Sequence, residues 1–213
     1  MSTPHFPNVS AAIAAFQAGR PVLLLDDDDR EDEADIIAAA ENISLQTMAM
    51  MIRDCSGIVC LCLDEATVDA LQLAPMVANN QARHGTGFTV TIEAADGIST
   101  GVSAQDRITT IFAALDSTPQ HRRIVSPGHV FPLRARNGGV FTRRGHTEGS
   151  VDLARLAGLR PAAVLCELMN SDGSMARGEQ VQAYAREYQL PVLTIDELVR
   201  YRQALMQREV VAG

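Results

Sequence analysis

The chain has 213 residues, 46% hydrophobic and 21% charged, which is enough apolar side chain for one buried core and too little polarity for wholesale disorder. A formal charge of −8 leaves no basic stripe to displace counterions from nucleic-acid phosphates, so no nucleic-acid partner is expected. No apolar run reaches the length of a membrane span, and the opening "MSTPHFPNVSAAIAAF" lacks the basic and long apolar regions of a signal peptide, so no membrane partner is expected either.

In chain order, "NVSAAIAAFQAGRP" predicts a helix that stops at Gly19 before Pro21. "VLLL" reads as a buried strand, followed at once by the four aspartates Asp26 to Asp29 and then Arg30, Glu31, Asp32, Glu33 and Asp35. Like charges are costly to assemble, so this run is either a solvated loop or a place prepared for a cation. "DIIAAA" predicts a second strand and "SLQTMAMMIRD" a helix whose methionines fill core. In "GIVCLCL" a period of two puts Cys60 and Cys62 on one face of a strand, against Val59, Leu61 and Leu63 on the other. "FTVTIEA" predicts a strand with Phe88, Val90 and Ile92 on one face. Ser103 with Asp106 three residues on opens the apolar helix "SAQDRITTIFAAL". "EGSVDLARLAGLRP" predicts a helix ending near Gly158, "AAVLCEL" a buried strand, and "VLTIDELVRYRQALMQR" a strand and then a helix from Asp196. Strands and helices in mixed order, without repeats or linkers, define an α/β (α+β) fold: a single domain over residues 1–213, with a mixed sheet and flanking helices. The four cysteines fit neither a zinc knuckle nor a disulfide scaffold, which implies reduced thiols and a cytoplasmic protein.

Three polar clusters stand at strand ends, where such folds keep their chemistry. The first is the acidic run. The second is the long stretch from "SPGHVFPLRARNGG" to "TRRGHTEG", which holds His129, Arg143, Arg144, Gly145, His146 and Thr147. Its end, with two arginines, a glycine and a threonine just before a helix, has the make-up of a phosphate cradle, although it fits a solvated loop with Thr147 as helix cap equally well. The third is "LCELMNSDGSMARG", where Glu167 breaks an apolar strand. A carboxylate there emerges at the strand end, pairs with a cation or is protonated, and a cleft-facing position suits a general base.

The blocks "DREDEADI", "GIVCLCL", "HGTGFTVTIEA", "STGVSAQDRITTI", "SPGHVFPLRA", "GGVFTRRGHTEGSVDLARLAG" and "VLCELMNSDGSMARG" together resemble the 3,4-dihydroxy-2-butanone 4-phosphate synthases of riboflavin biosynthesis, from about Leu25 to Arg202. The resemblance implies a monofunctional lyase that splits D-ribulose 5-phosphate into 3,4-dihydroxy-2-butanone 4-phosphate and formate, acting as a homodimer with Mg2+, or alternatively Mn2+, as cofactor. It implies metal ligation by Glu31 and His146, catalysis by Asp35, His129 and Glu167, and substrate contacts from Arg30, Glu31, Asp35, Arg143, Arg144, Gly145, His146, Thr147 and Glu167. It also keeps Cys60, Thr100, Ser103 and Asp106 near the site, each with a plain structural alternative, and allows His129 to serve a partner's site.

The chain departs from the family pattern at three positions. Asp32 stands for an asparagine and adds charge beside the expected metal ligand, Ala34 stands for a glycine and is strained if that glycine has positive φ, and Gly149 stands for an alanine with little expected effect. Two other classes of function remain: a non-catalytic sugar-phosphate binder, disfavoured by the presence of Glu31, Asp35, His146 and Glu167, and a metal-dependent phosphatase, which would release phosphate instead of formate.

Overall fold

A computed structural model of the chain describes residues 5–27 and 29–212. Seven strands form one sheet: β1 (Val22–Leu25), β2 (Ala34–Ala39), β3 (Cys60–Leu63), β4 (Ile92–Ala94), β5 (Ile124–Arg134), β6 (Ala162–Glu167) and β7 (Val192–Thr194). Their spatial order is β4-β5-β3-β6-β2-β1-β7. The pairs β3/β5 and β1/β7 are parallel and the others antiparallel, giving the mixed sheet expected from the sequence.

Helices cover both faces. On one side α1 (Pro7–Gln17), α5 (His146–Leu156) and α7 (Ile195–Ala212) bury Phe16, Val151 and Leu198 against Leu24, Ile37, Cys60 and Cys62 of the sheet. On the other, α2 (Leu45–Asp54), α3 (Glu65–Ala70), α4 (Ala104–Leu115) and α6 (Glu179–Tyr188) bury Met48, Met51, Val68, Ile111 and Val181 against Ile36, Leu61, Leu63 and Val164. Each fully buried side chain of this size stabilises the fold by roughly 1.5–3 kcal/mol, so the two layers hold the sheet between them. Cys60 and Cys62 thus share one face and Val59, Leu61 and Leu63 the other, as the alternation requires.

Helix starts follow local hydrogen bonding. Ser44 Oγ accepts from the Thr47 amide, and Ser103 Oγ from the Asp106 amide, both at 3.1 Å. At α7 the side chains of Thr194 and Glu197 each accept the other's amide at 3.1 Å, a capping box that starts the helix one residue before the expected Asp196. Gly145 stands at the N-cap of α5, so Thr147 lies in the first turn and is not the cap.

Other expectations are corrected. "FTVTIEA" is a strand only from Ile92 onward. Phe88 packs with one core layer while Val90 and Ile92 pack with the other, because Thr89 donates to Pro132 and Val90 to Ala74, which turns the backbone before β4 begins. The Pro- and Gly-framed "IVSPGHVFPLR" is the eleven-residue strand β5. Gly128 permits it, since a Cβ there would collide with the backbone of Ile92 and Glu93, where the β4/β5 register shifts. Ala34 lies in β2 without positive φ; Asp32 takes the left-handed conformation instead, at φ 53°. Gly149 packs against Ile195 and Leu24, so a Cβ there would meet only the terminal methyls of two flexible core side chains.

Candidate active site

The cleft forms where β2 begins, β6 ends and α5 starts. Asp35 and Glu167 are direct cross-strand partners, both on the face that α5 covers. Two carboxylates so placed repel when both are charged. Burial, and then the Glu167 charge, push the Asp35 carboxyl well above the usual aspartate range. Glu167 is only half-buried, and its Oε2 accepts a 2.5 Å hydrogen bond from Ser56 Oγ, which is itself oriented by the Ile58 amide at 3.1 Å. Adjacent carboxyl groups held in unlike environments are the usual basis for a division into acid and base.

The acidic run is folded from within. Asp26, buried at the end of β1, accepts from Arg30 Nη1 at 2.6 Å and from the amides of Glu31 at 3.2 Å and Glu33 at 3.0 Å. This turns the loop so that Glu31 lies beside Arg30 and faces His146. Asp27 grips Arg144 through two hydrogen bonds of 2.6 and 2.8 Å, which holds its carboxyl below the usual range and ties the loop to the start of α5. Asp29 is exposed, and Asp28 lies outside the described residues.

His146, the first residue of α5, has Nδ1 3.6 Å from Asp35 Oδ2 and 3.8 Å from Glu31 Oε2. Burial lowers its pKa to about 4, so the ring is neutral at physiological pH, the form that ligates metals. Asp26, Glu31 and His146 each offer a ligand atom within 4.8 Å of the others, close enough to share one ion. Among the described residues, His146 Nε2 and Asp35 Oδ1 are buried without a hydrogen-bond partner. Buried polar atoms are normally satisfied, so a group at this point would complete them.

Together Arg30, Glu31, Asp35, Arg143, His146, Thr147 and Glu167 line a cleft of about 140 Å3, with Cys60 and Phe88 as apolar wall. Burial pushes the Cys60 thiol well up, which suits packing and not nucleophilic attack. Arg143 is braced by Glu148 Oε2 at 2.6 Å, the His84 carbonyl at 3.1 Å and Thr86 Oγ1 at 2.9 Å. Arg144 turns to Asp27 and Asp196, and neither it nor Gly145 lines the cleft. A neighbouring hollow of about 410 Å3 is larger but has Arg134 as its one charged lining residue, so the chemistry resides in the smaller one.

His129 stands apart. It lies on β5 outside the cleft lining, its Nδ1 2.5 Å from Glu93 Oε2. Thr100, Ser103 and Asp106 belong to the adjoining loop and helix start, where Asp106 accepts from Ser99 Oγ at 2.7 Å and the Gly101 amide at 3.1 Å. The motifs read from the sequence single out neither Ser56 nor Glu93, and mark Asp26 only as part of the acidic run. Glu93 was findable, because it interrupts an apolar strand just as Glu167 does; Ser56, in "DCSG", carries no such signal.

Fold and cleft define an α/β enzyme in which carboxylates, a neutral histidine and arginines converge at strand ends. The family model for 3,4-dihydroxy-2-butanone 4-phosphate synthase matches residues 10–201. A synthase of that description from Pseudomonas putida is 86% identical over 212 residues, covering 98% of both chains, and one from Cupriavidus pinatubonensis is 61% identical over 92% of this chain and 87% of its own. A solved 3,4-dihydroxy-2-butanone 4-phosphate synthase in complex with two magnesium ions superposes with a TM-score of 0.86 at 41% identity, covering 92% of this chain and 96% of its own. The Candida albicans synthase does so at 0.83 and 40%, covering 93% and 98%. The chain belongs to the 3,4-dihydroxy-2-butanone 4-phosphate synthase family.

Proposed function

We infer that this cleft is where the chain, a lyase, converts D-ribulose 5-phosphate to 3,4-dihydroxy-2-butanone 4-phosphate and formate. The observation that carries the reading is the convergence of the Asp35–Glu167 pair with the Asp26, Glu31 and His146 cluster in one cleft. The reaction removes a proton beside a carbonyl, expels water, moves a carbon and releases one carbon as formate. Glu167, half-buried and held by Ser56, is the base for proton removal, and Asp35, whose hold on a proton burial strengthens, is the acid that returns protons to departing oxygen. Arg30, Arg143 and Thr147 bind the sugar phosphate at the positive end of α5, while Arg144 and Gly145 shape that end from outside the cleft.

Glu31 and His146, joined by Asp26, would hold Mg2+ or Mn2+. Such a cation, when bound, neutralises negative charge developing on adjacent substrate oxygens. The test is proton NMR of the protein with ribulose 5-phosphate. A formate singlet is expected with magnesium, none after exhaustive chelation, and recovery on adding magnesium or manganese. Inorganic phosphate without formate would instead indicate a phosphatase, and full turnover after chelation would remove the metal role of Glu31 and His146.

The same reading makes the chain one domain over residues 1–213, acting in the cytoplasm as a homodimer. All described strands share one sheet, all four cysteines are free thiols, and no described helix is long and apolar enough to cross a membrane. Ile58, Val102 and Val125 are each nearly half exposed, and such apolar side chains are ones a second copy would cover while receiving His129 into its site. Sedimentation equilibrium should give twice the chain mass; a monomer at working concentration would end this part of the reading.

A further inference from the structure

Glu93 is a buried carboxylate that the reaction described above leaves unused. It projects from β4 in the middle of the sheet's β4/β5 edge, its side chain 10% exposed against 47% for His129. A buried carboxylate is costly unless it is hydrogen-bonded and paired. Its Oε1 accepts from Thr110 Oγ1 at 3.2 Å, and that hydroxyl accepts in turn from the Ala94 amide at 3.0 Å, so its proton is committed to Glu93. The nearby guanidinium of Arg107 donates to carbonyls, those of Val102 and Gly57 at 2.9 Å and of His129 at 3.4 Å, and acts on Glu93 through its charge, with no hydrogen bond between them. The partner left for Oε2 is His129 Nδ1 at 2.5 Å. Gly101, at φ +83°, closes over the pair, and a Cβ there would collide with both Glu93 Oε2 and His129 Nδ1. Asp106 fixes that glycine by accepting its amide.

We propose that Glu93 is a positioning residue for His129: its carboxylate accepts from Nδ1, sets the ring's tautomer and direction, and so presents Nε2 outward to the sugar phosphate. An ionised carboxylate can only accept, so a neutral imidazole beside it must carry its proton on Nδ1 and keep the Nε2 lone pair free. The same outer partner stabilises the ring once Nε2 takes up a proton. The proposal rests on the reading of His129 as a catalytic residue.

The experiment uses the full chain labelled with 15N-histidine, with the His129 signals assigned against H129N. Where the ring is neutral, His129 should have a protonated Nδ1 and an unprotonated Nε2 in the unmodified protein, and Glu93→Gln should shift it toward protonated Nε2. Formate release by Glu93→Gln should lose roughly ten- to a hundredfold in kcat with KM held within about threefold, the pattern of a partner acting through an oriented histidine. In the H129N background, Glu93→Gln should cost nothing further, and Glu93→Asp should recover part of the rate. An Nε2–H ring in the unmodified protein overturns the proposal, and that spectrum decides even if the variants fold poorly. Unchanged kcat in Glu93→Gln, or a further loss in the H129N background, also overturns it. If H129N itself turns over normally, the reading of His129 fails and takes this inference with it, an outcome separable from the others because it appears before Glu93 is touched.

Discussion

The molecule carries two polar clusters on one sheet, and they are finished to different degrees. Around Glu93, Asp106 and His129 the carboxylate oxygens are hydrogen-bonded, and the exposed end of one imidazole is what is left to offer. In the cleft, Asp35 Oδ1 and His146 Nε2 are buried with no protein partner, and Asp26, Glu31 and His146 bring three ligand atoms within 4.8 Å of one another. A self-satisfied cluster is suited to hold a side chain still, whereas an unsatisfied one is suited to receive something. The two also differ in exposure. Asp35 and His146 are almost wholly buried, while the His129 side chain is 47% exposed. The cleft cluster therefore resembles a closed chemical centre, and the Glu93–His129 cluster a prepared contribution to another surface.

The comparison is broken most severely at Glu167. Glu167→Gln keeps the side chain's size and a group able to bond Ser56 Oγ but removes the base, so formate release should fall at least ~100-fold while KM changes little. Ser56→Ala sharpens the same point. It removes the hydrogen bond but leaves the carboxylate, so its loss should be smaller than that of Glu167→Gln and should vanish in the Glu167→Gln background. Steady-state kinetics on the three proteins decide the matter. Normal turnover by Glu167→Gln would leave Asp35 as the one carboxylate of the pair able to do the work.

These arrangements were unequally legible in the sequence. Where periodicity and capping operate over a few residues, as at Cys60 and Cys62 or at Ser44 and Ser103, sequence and structure agree because the determining contacts are local. The failures share a different cause. β5 contains Pro127, Gly128 and Pro132, which break any strand pattern, and it is held in place by β3 and β4 from distant parts of the chain. The helices α3, which buries Val68, and α6, which buries Val181 and Ala185, lack a long apolar stripe and were also missed. In the site, the motifs around Glu31, His146 and Glu167 mark them as candidates, and the fold brings all three into one cleft. The loop-closing role of Asp26, the braces on Arg143 and the diversion of Arg144 to Asp27 depend on side chains brought together by the fold, and no spacing rule encodes them. The acidic run is accordingly neither a solvated loop nor a single metal site: one aspartate folds the loop, the next ties it down, and Glu31 faces the histidine.

The smallest effect belongs to the feature that looked most unusual in the sequence. Asp32 was expected to add negative charge to the metal site, yet its carboxylate lies 3.4 Å from Arg177 Nη1, with both side chains about half exposed. Exposed pairs of this kind contribute about 0–1 kcal/mol, and Arg177 offsets the charge that Asp32 adds. What the position requires is its backbone conformation, φ 53°, which aspartate and asparagine tolerate better than other side chains. Asp32→Asn should therefore change stability by less than about 0.5 kcal/mol and leave kcat and the magnesium concentration for half-maximal activity within about twofold. Asp32→Val, β-branched at positive φ, should instead lose about 1–3 kcal/mol through strain in the loop that carries Glu31. Urea unfolding and a magnesium titration of formate release measure both. If Asp32→Asn weakened the magnesium response tenfold while Asp32→Val unfolded normally, charge and not conformation would be the requirement at this position, and Asp32 would join the unsatisfied cluster of the cleft.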